Sequence, residues 1–129
     1  MEKVQLLIEK LLTDSAKGCL IIVEGQKDYR ALRQLGINGE ILTAKTSRKS
    51  FLDLTAEIER QSCPQVILLL DFDRRGKELT KRLVQHLETV RIKINTDYWK
   101  ELQALIGRDV KDIESIPTYL QTQNKKLTQ

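Results

Sequence analysis

Three carboxylates follow two apolar segments of the chain. Glu24 comes directly after the run CLIIV, and Asp71 and Asp73 come directly after VILLL, with Phe72 between them. In an extended chain, side chains two residues apart point to the same side, so Asp71 and Asp73 can face one point while Phe72 packs inward. Two negative charges about 4 Å apart repel by roughly 4 kcal/mol at an effective dielectric near 20. We therefore expect a cation to bind these carboxylates.

The chemistry of the three side chains indicates which cation would bind. Hard oxygen ligands without His or Cys favour Mg²⁺, Mn²⁺ or Ca²⁺ over zinc, and a few carboxylates with open water positions suit Mg²⁺ bridged to a substrate phosphate, with Mn²⁺ as a substitute. The alternative is structural, in which Asp71 and Asp73 cap a helix and Glu24 forms a salt bridge. The neighbouring Gly25 and Gly76, which permit tight backbone turns, favour a functional acidic cluster.

The elements that must position these acids alternate along the chain. Strands are predicted at 19–23, 40–43, 66–70 and 90–94, and the main helices at 2–12, after Gly25, at 51–61, at 76–88 and from Asp97 to Ile106. This alternation predicts an α/β fold in three layers, with a four-stranded parallel sheet between helices and the strand order 2-1-3-4. Ligands bind such sheets at the carboxyl ends of the strands. The order places Glu24 and Asp71 opposite each other at that edge.

A single domain is expected from the 129 residues. Its predicted parts are the N-terminal helix, a core over 19–95, a helical extension over 97–120 and a frayed tail over 121–129. No apolar run reaches the length of a membrane span, and charges interrupt the N-terminal apolar stretch, unlike a signal peptide. A cytoplasmic protein that does not enter the membrane is therefore expected.

Basic residues gather in the loops predicted at the same edge. They are Lys27 after the first strand, Lys45, Arg48 and Lys49 after the second, and Arg74, Arg75 and Lys77 after the third. The net charge of +4 fits a polyanionic partner, and an aromatic content of 5% favours contact with the phosphate backbone over base stacking. Thr46 and Ser47 could also donate hydrogen bonds to a phosphate. The alternative is ordinary solvated surface charge.

The two motifs together resemble the Toprim signature. IIVEGQKD matches a strand ending in Glu-Gly, and LLLDFDRRG matches a later strand ending in Asp-x-Asp-x-x-Gly. Asp28 resembles the additional acid of the primase and ribosomal RNA maturase branches. The resemblance covers residues 19–95, and the overall size and the ending DVKDIESIPTYL are similar to the small stand-alone Toprim proteins of archaea.

The resemblance implies roles for the acids and a class of function. Glu24 would be the general acid/base and, with Asp71 and Asp73, would hold the metal, while Asp28 would serve a second metal. The leading hypothesis is a Mg²⁺-dependent nuclease or related phosphotransfer enzyme on RNA or DNA. The alternative is a nucleic-acid-binding or scaffolding module of a repair or RNA-processing complex, and a homodimer would extend its small basic footprint. Primase-like transfer is disfavoured, because 129 residues leave no room for a template-handling domain.

Overall fold

The structure, a computed structural model, describes residues 2–45 and 50–128. The helices are α1 (Glu2–Ala16), α2 (Gln26–Gln34), α3 (Phe51–Arg60), α4 (Arg74–Thr89), α5 (Asp97–Ile106) and α6 (Ile116–Thr128). The strands are β1 (Leu20–Val23), β2 (Ile41–Thr43), β3 (Val66–Leu68) and β4 (Ile94–Asn95). None of the helices in these described ranges is long and apolar enough to span a bilayer.

The four strands form one parallel sheet in the order β2-β1-β3-β4, which confirms the predicted fold class and strand order. β1 and β3 are the inner strands and every residue in them is buried, as their continuous apolar runs predicted. Successive residues point to opposite faces: Ile21 packs with α1, α2, α5 and α6, whereas Ile22 packs with α3 and α4. The sheet therefore separates two helical layers.

The C-terminal segment differs from the sequence-based prediction. A frayed tail was predicted over 121–129, but α6 continues through Thr128. Ile116, Tyr119 and Leu120 pack against the core and anchor its first turns, and the following residues include no glycine or proline that would stop a helix. The packed first turns and the helix-compatible residues that follow them together extend α6 beyond Leu120.

The fourth strand is shorter than predicted. A strand was expected over 90–94, but only Ile94 and Asn95 pair with β3. α4 runs to Thr89, and Arg91 then adopts a left-handed conformation with φ 60° while the Ile92 N–H donates to the Leu87 carbonyl. The chain thus turns through residues that the alternation of apolar and charged side chains assigned to the strand.

Candidate functional site

Glu24 and Asp71 lie beside each other where β1 and β3 end. Glu24 is only 4% exposed, and its Oε2 accepts a salt bridge of 3.0 Å from the Lys45 ammonium. Among the residues that the structure describes, no N–H or O–H group donates a hydrogen bond to the buried Oε1 of Glu24 or to the buried Oδ1 of Asp71. Buried polar atoms are nearly always satisfied, so two orphaned carboxylate oxygens at one point require an explanation.

The closeness of Glu24 and Asp71 is electrostatically unfavourable when both are charged. Burial, followed by the negative charges of Asp28 and Glu24 and a hydrogen bond shared with Glu24, raises the pKa of Asp71 to about 8. Without a cation, one proton shared between the two carboxylates relieves their repulsion at neutral pH. A divalent cation would relieve it more completely.

One oxygen of Asp73 caps a helix. Its side chain is exposed at the start of α4, where Oδ1 accepts a hydrogen bond of 2.8 Å from the Gly76 N–H and caps the helix. The predicted alternation ends here because the chain leaves the strand after Leu68 and begins α4 at Arg74. Phe72 packs inward as predicted, against Trp99.

Gly76 explains the spacing of this motif. A β-carbon at this position would lie 2.0 Å from the backbone oxygen of Asp71, so only glycine permits this close approach of α4 to the end of β3. Gly25 differs: its backbone is extended, and a β-carbon there would have its nearest neighbour, Asp28 Oδ2, at 4.0 Å. The Gly25 position is therefore open to a small side chain on steric grounds.

Asp28 links the site to the C-terminal segment. It is buried, and its two oxygens accept from the backbone N–H groups of Gly25 at 3.1 Å and Glu114 at 2.9 Å. Burial has the largest influence on the pKa of Asp28 and raises it, the two donors lower it, and the charges of Asp112 and Glu24 raise it, so that the pKa lies above its ordinary value. Asp28 thus holds the turn after β1 against the loop before α6.

Sequence reasoning missed the acids that this loop contributes. Asp112 and Glu114 line the cavity of about 340 Å³ that also contains Glu24, Asp28 and Asp71. The Oδ1 atom of Asp112 accepts from the backbone N–H and hydroxyl of Ser115. No local motif marks these residues, because only tertiary contacts bring them to the sheet edge.

The acids do not form a ready-made metal cage. In the part of the chain that the structure describes, no group of three His, Cys, Asp or Glu side chains has an arrangement suited to an ion. The donor set nevertheless fits Mg²⁺, since two orphaned carboxylate oxygens next to an open cavity leave positions for water or phosphate oxygens.

The predicted basic residues divide among different surfaces. Lys27 and Lys45 line the cavity with the acids, whereas Arg75 lines a neighbouring groove. Arg74 is highly exposed and pairs with Glu78, and Lys77 lies on another side of α4 near Trp99 and Lys100. The remaining predicted contacts, Thr46, Ser47, Arg48 and Lys49, lie outside the described residues.

Comparison with known proteins identifies the class. The Toprim domain model matches residues 19–100, so the chain belongs to the Toprim domain family, as the two strand-end motifs suggested. It is 38% identical over 127 residues to a UPF0292 protein of Methanocaldococcus jannaschii, covering 98% of this chain and 94% of that one. It is also 33% identical over 120 residues to a UPF0292 protein of Methanosarcina acetivorans, covering 93% of this chain and 81% of that one. These matches fit the expected small archaeal Toprim protein.

A solved structure supports the fold independently. A putative protein from Aquifex aeolicus aligns with a TM-score of 0.72 at 23% identity, covering 86% of this chain and 95% of that one. Membership of the Toprim family implies a metal-binding function related to nucleic acid.

Proposed function

We propose that this protein is a Mg²⁺-dependent phosphotransfer enzyme acting on nucleic acid, and specifically a nuclease on RNA or DNA. The observation that carries the proposal is the orphaned pair of buried oxygens, Glu24 Oε1 and Asp71 Oδ1. A stable fold retains such a pair at the ligand-binding edge of its sheet when a ligand compensates it.

The metal would be held by Asp71 and by the oxygen of Asp73 that the helix cap does not use, with Glu24 beside it. Mn²⁺ would bind in the same way, because it prefers the same oxygen ligands. When bound, the ion supplies positive charge that neutralises the developing charge on the phosphoryl oxygens. Asp28 was expected to serve a second metal, but both of its oxygens accept backbone hydrogen bonds. We assign Asp28 to positioning the loop that carries Asp112.

Glu24 is the proposed general base. The Lys45 ammonium stabilises the charge on Oε2, while Oε1, which receives no N–H or O–H donor from the described residues, would accept a proton from an attacking water. Lys27 and Lys45, which flank the cavity, would attract and orient the phosphate backbone. The same contacts carry no base information, so binding should be largely independent of sequence.

A binding or scaffolding role is the second candidate. It is favoured by the Lys45–Glu24 ion pair, which already neutralises one acid, and by the lack of a three-ligand metal arrangement among residues 2–45 and 50–128. A module of this kind would hold nucleic acid without cutting it.

Cleavage assays distinguish the two candidates. Purified protein is incubated with labelled RNA and DNA panels in Mg²⁺ and in Mn²⁺, next to Glu24→Gln and the control Glu101→Gln, an exposed acid on α5. Glu24→Gln keeps the shape of the side chain but removes its proton-accepting charge, so cleavage should fall by about 10²–10⁴-fold while binding changes only a few-fold. Binding without cleavage by the wild type under every condition would favour the scaffold.

A further inference from the structure

A second cavity leads away from the acids along α4. It has a volume of about 260 Å³, begins at Glu24 and Lys45, and is lined by four side chains of α4: Arg75, Glu78, Leu79 and Arg82. These four positions follow the i, i+3, i+4, i+7 spacing of one helical face. We call this cavity the α4 groove. It shares Glu24 and Lys45 with the acid cavity, so the two adjoin.

The charges in the α4 groove do not cancel. Glu24 pairs with Lys45, and Glu78 pairs with Arg74 at 3.1 Å. Arg75 and Arg82 form no ion pair with any residue that the structure describes. The groove therefore carries two unmatched guanidinium groups, which suit an anionic ligand.

Arg82 is held in place although it is exposed. Its guanidinium carbon lies 4.2 Å from the centre of the Phe51 ring, and this ring forms a T-shaped contact with His86 at a centroid distance of 5.8 Å. A cation resting on an aromatic face is attracted to the ring and loses less freedom when it forms hydrogen bonds. Phe51 thus positions Arg82 at the far end of the groove.

We propose that the α4 groove binds the sugar-phosphate backbone of the strand whose phosphate lies at the acid pair, with Arg75 and Arg82 contacting different phosphates. Their separation of seven positions corresponds to about 10.5 Å along the helix, several times the rise of about 3.4 Å per nucleotide in duplex DNA. This spacing allows the two residues to contact different phosphates of one strand. This inference rests on the proposed function and adds the path of the strand and a role for Arg82 and Phe51.

The neighbouring side of α4 offers a matched control. Lys81, next to Arg82 in sequence, lines a different cavity with Lys77, Trp99 and Lys100 that contains none of the site acids. Lys81→Ala removes the same charge from the same helix turn as Arg82→Ala. If binding depended only on general attraction between a basic helix and a polyanion, the two variants would lose the same affinity for nucleic acid.

The test is fluorescence anisotropy across a salt series. The probes are labelled oligouridylate and oligothymidylate of about 12 nucleotides, a length within the usual range for single-strand binding sites. Mg²⁺ is omitted so that cleavage does not interfere. Arg82→Ala should weaken binding about tenfold at low salt and reduce the slope of log K against log salt by about 0.7, the value for one lost phosphate contact on a single strand. Lys81→Ala should stay within about twofold, as expected for a charge outside the path.

Phe51→Leu separates positioning from charge. It keeps every cation and an apolar side chain, so the salt slope should be unchanged while affinity falls about threefold, the loss expected when a cation–π contact is removed. Circular dichroism of each variant checks that the fold is retained.

Each outcome bears on one claim. Equal losses in Arg82→Ala and Lys81→Ala would overturn the α4 groove and leave the proposed function standing. Wild-type affinity in Phe51→Leu would overturn the positioning role of the ring. If the wild type bound neither probe while circular dichroism showed it folded, the proposed function and the groove would both fall.

Discussion

The acid pair, Glu24 and Asp71, and the first turn of α4 both contain acidic side chains, but these differ in their exposure and in their hydrogen-bond partners. Glu24 is buried and Asp71 half-buried, and each has one buried oxygen that receives no N–H or O–H donor from the described residues. Two residues after Asp71, Asp73 is exposed and caps a helix, and Arg74 and Glu78 form a solvated pair. The first arrangement raises the pKa of Asp71 to about 8. In the second, all three side chains are exposed to solvent. Burial without a partner, rather than acidity, distinguishes the candidate metal centre from the helix cap.

Gly76 connects these two regions, and its replacement should have the largest effect on stability. Gly76→Ala would place a methyl carbon 2.0 Å from the Asp71 carbonyl oxygen, so α4 or the end of β3 must move. We expect a loss of about 3 kcal/mol or more in the free energy of unfolding, measured by urea denaturation.

Gly25→Ala is the matched control for this substitution. Its new methyl group would have its nearest neighbour at 4.0 Å and its backbone is already extended, so the change should stay within about 0.5 kcal/mol. Similar losses in both variants would contradict the close approach described for Gly76.

The cap at Asp73 should have a smaller effect. Asp73→Ala removes the acceptor for the Gly76 N–H and should cost about 1 kcal/mol in the free energy of unfolding, again by urea denaturation. Asp73→Asn should restore most of this loss, because asparagine is an equally good cap. If Asn and Ala destabilised the protein equally, the capping bond would not be the reason for the loss.

The sequence predicted the inner part of the site better than its rim. The continuous apolar runs before Glu24 and Asp71 identified the two inner strands, and parallel pairing then placed both acids at one edge. Period-two alternation failed at Asp73 because the chain begins α4 there and no longer follows an extended path. Asp112 and Glu114 were not predictable, since the bond from the Glu114 N–H to Asp28 joins residues 86 positions apart. Arg82 was missed for a related reason: its value as a ligand depends on Phe51 of another helix.

The raised pKa of Asp71 gives the metal site a pH signature. A carboxyl group whose folded pKa lies above its unfolded value stabilises the metal-free fold at low pH, and this stability is lost as the pH rises from about 4 through about 8. Mg²⁺ must displace the shared proton, so its apparent affinity should increase about tenfold per pH unit up to about 8. At the proposed metal site, proton and metal would therefore compete for one pair of carboxylates.

The most direct measurement is the melting temperature of the wild type, Asp71→Asn and Asp73→Asn across this pH range, with and without Mg²⁺. At pH 8, Mg²⁺ at roughly ten times its Kd should raise the wild-type melting temperature by about 5 °C, with a smaller rise at pH 6. Asp73→Asn should keep part of this response. Asp71→Asn should show neither the metal response nor the loss of metal-free stability as the pH rises through about 8. Equal stabilisation of the wild type and Asp71→Asn by Mg²⁺ at pH 8 would contradict a metal centre at the buried acid pair.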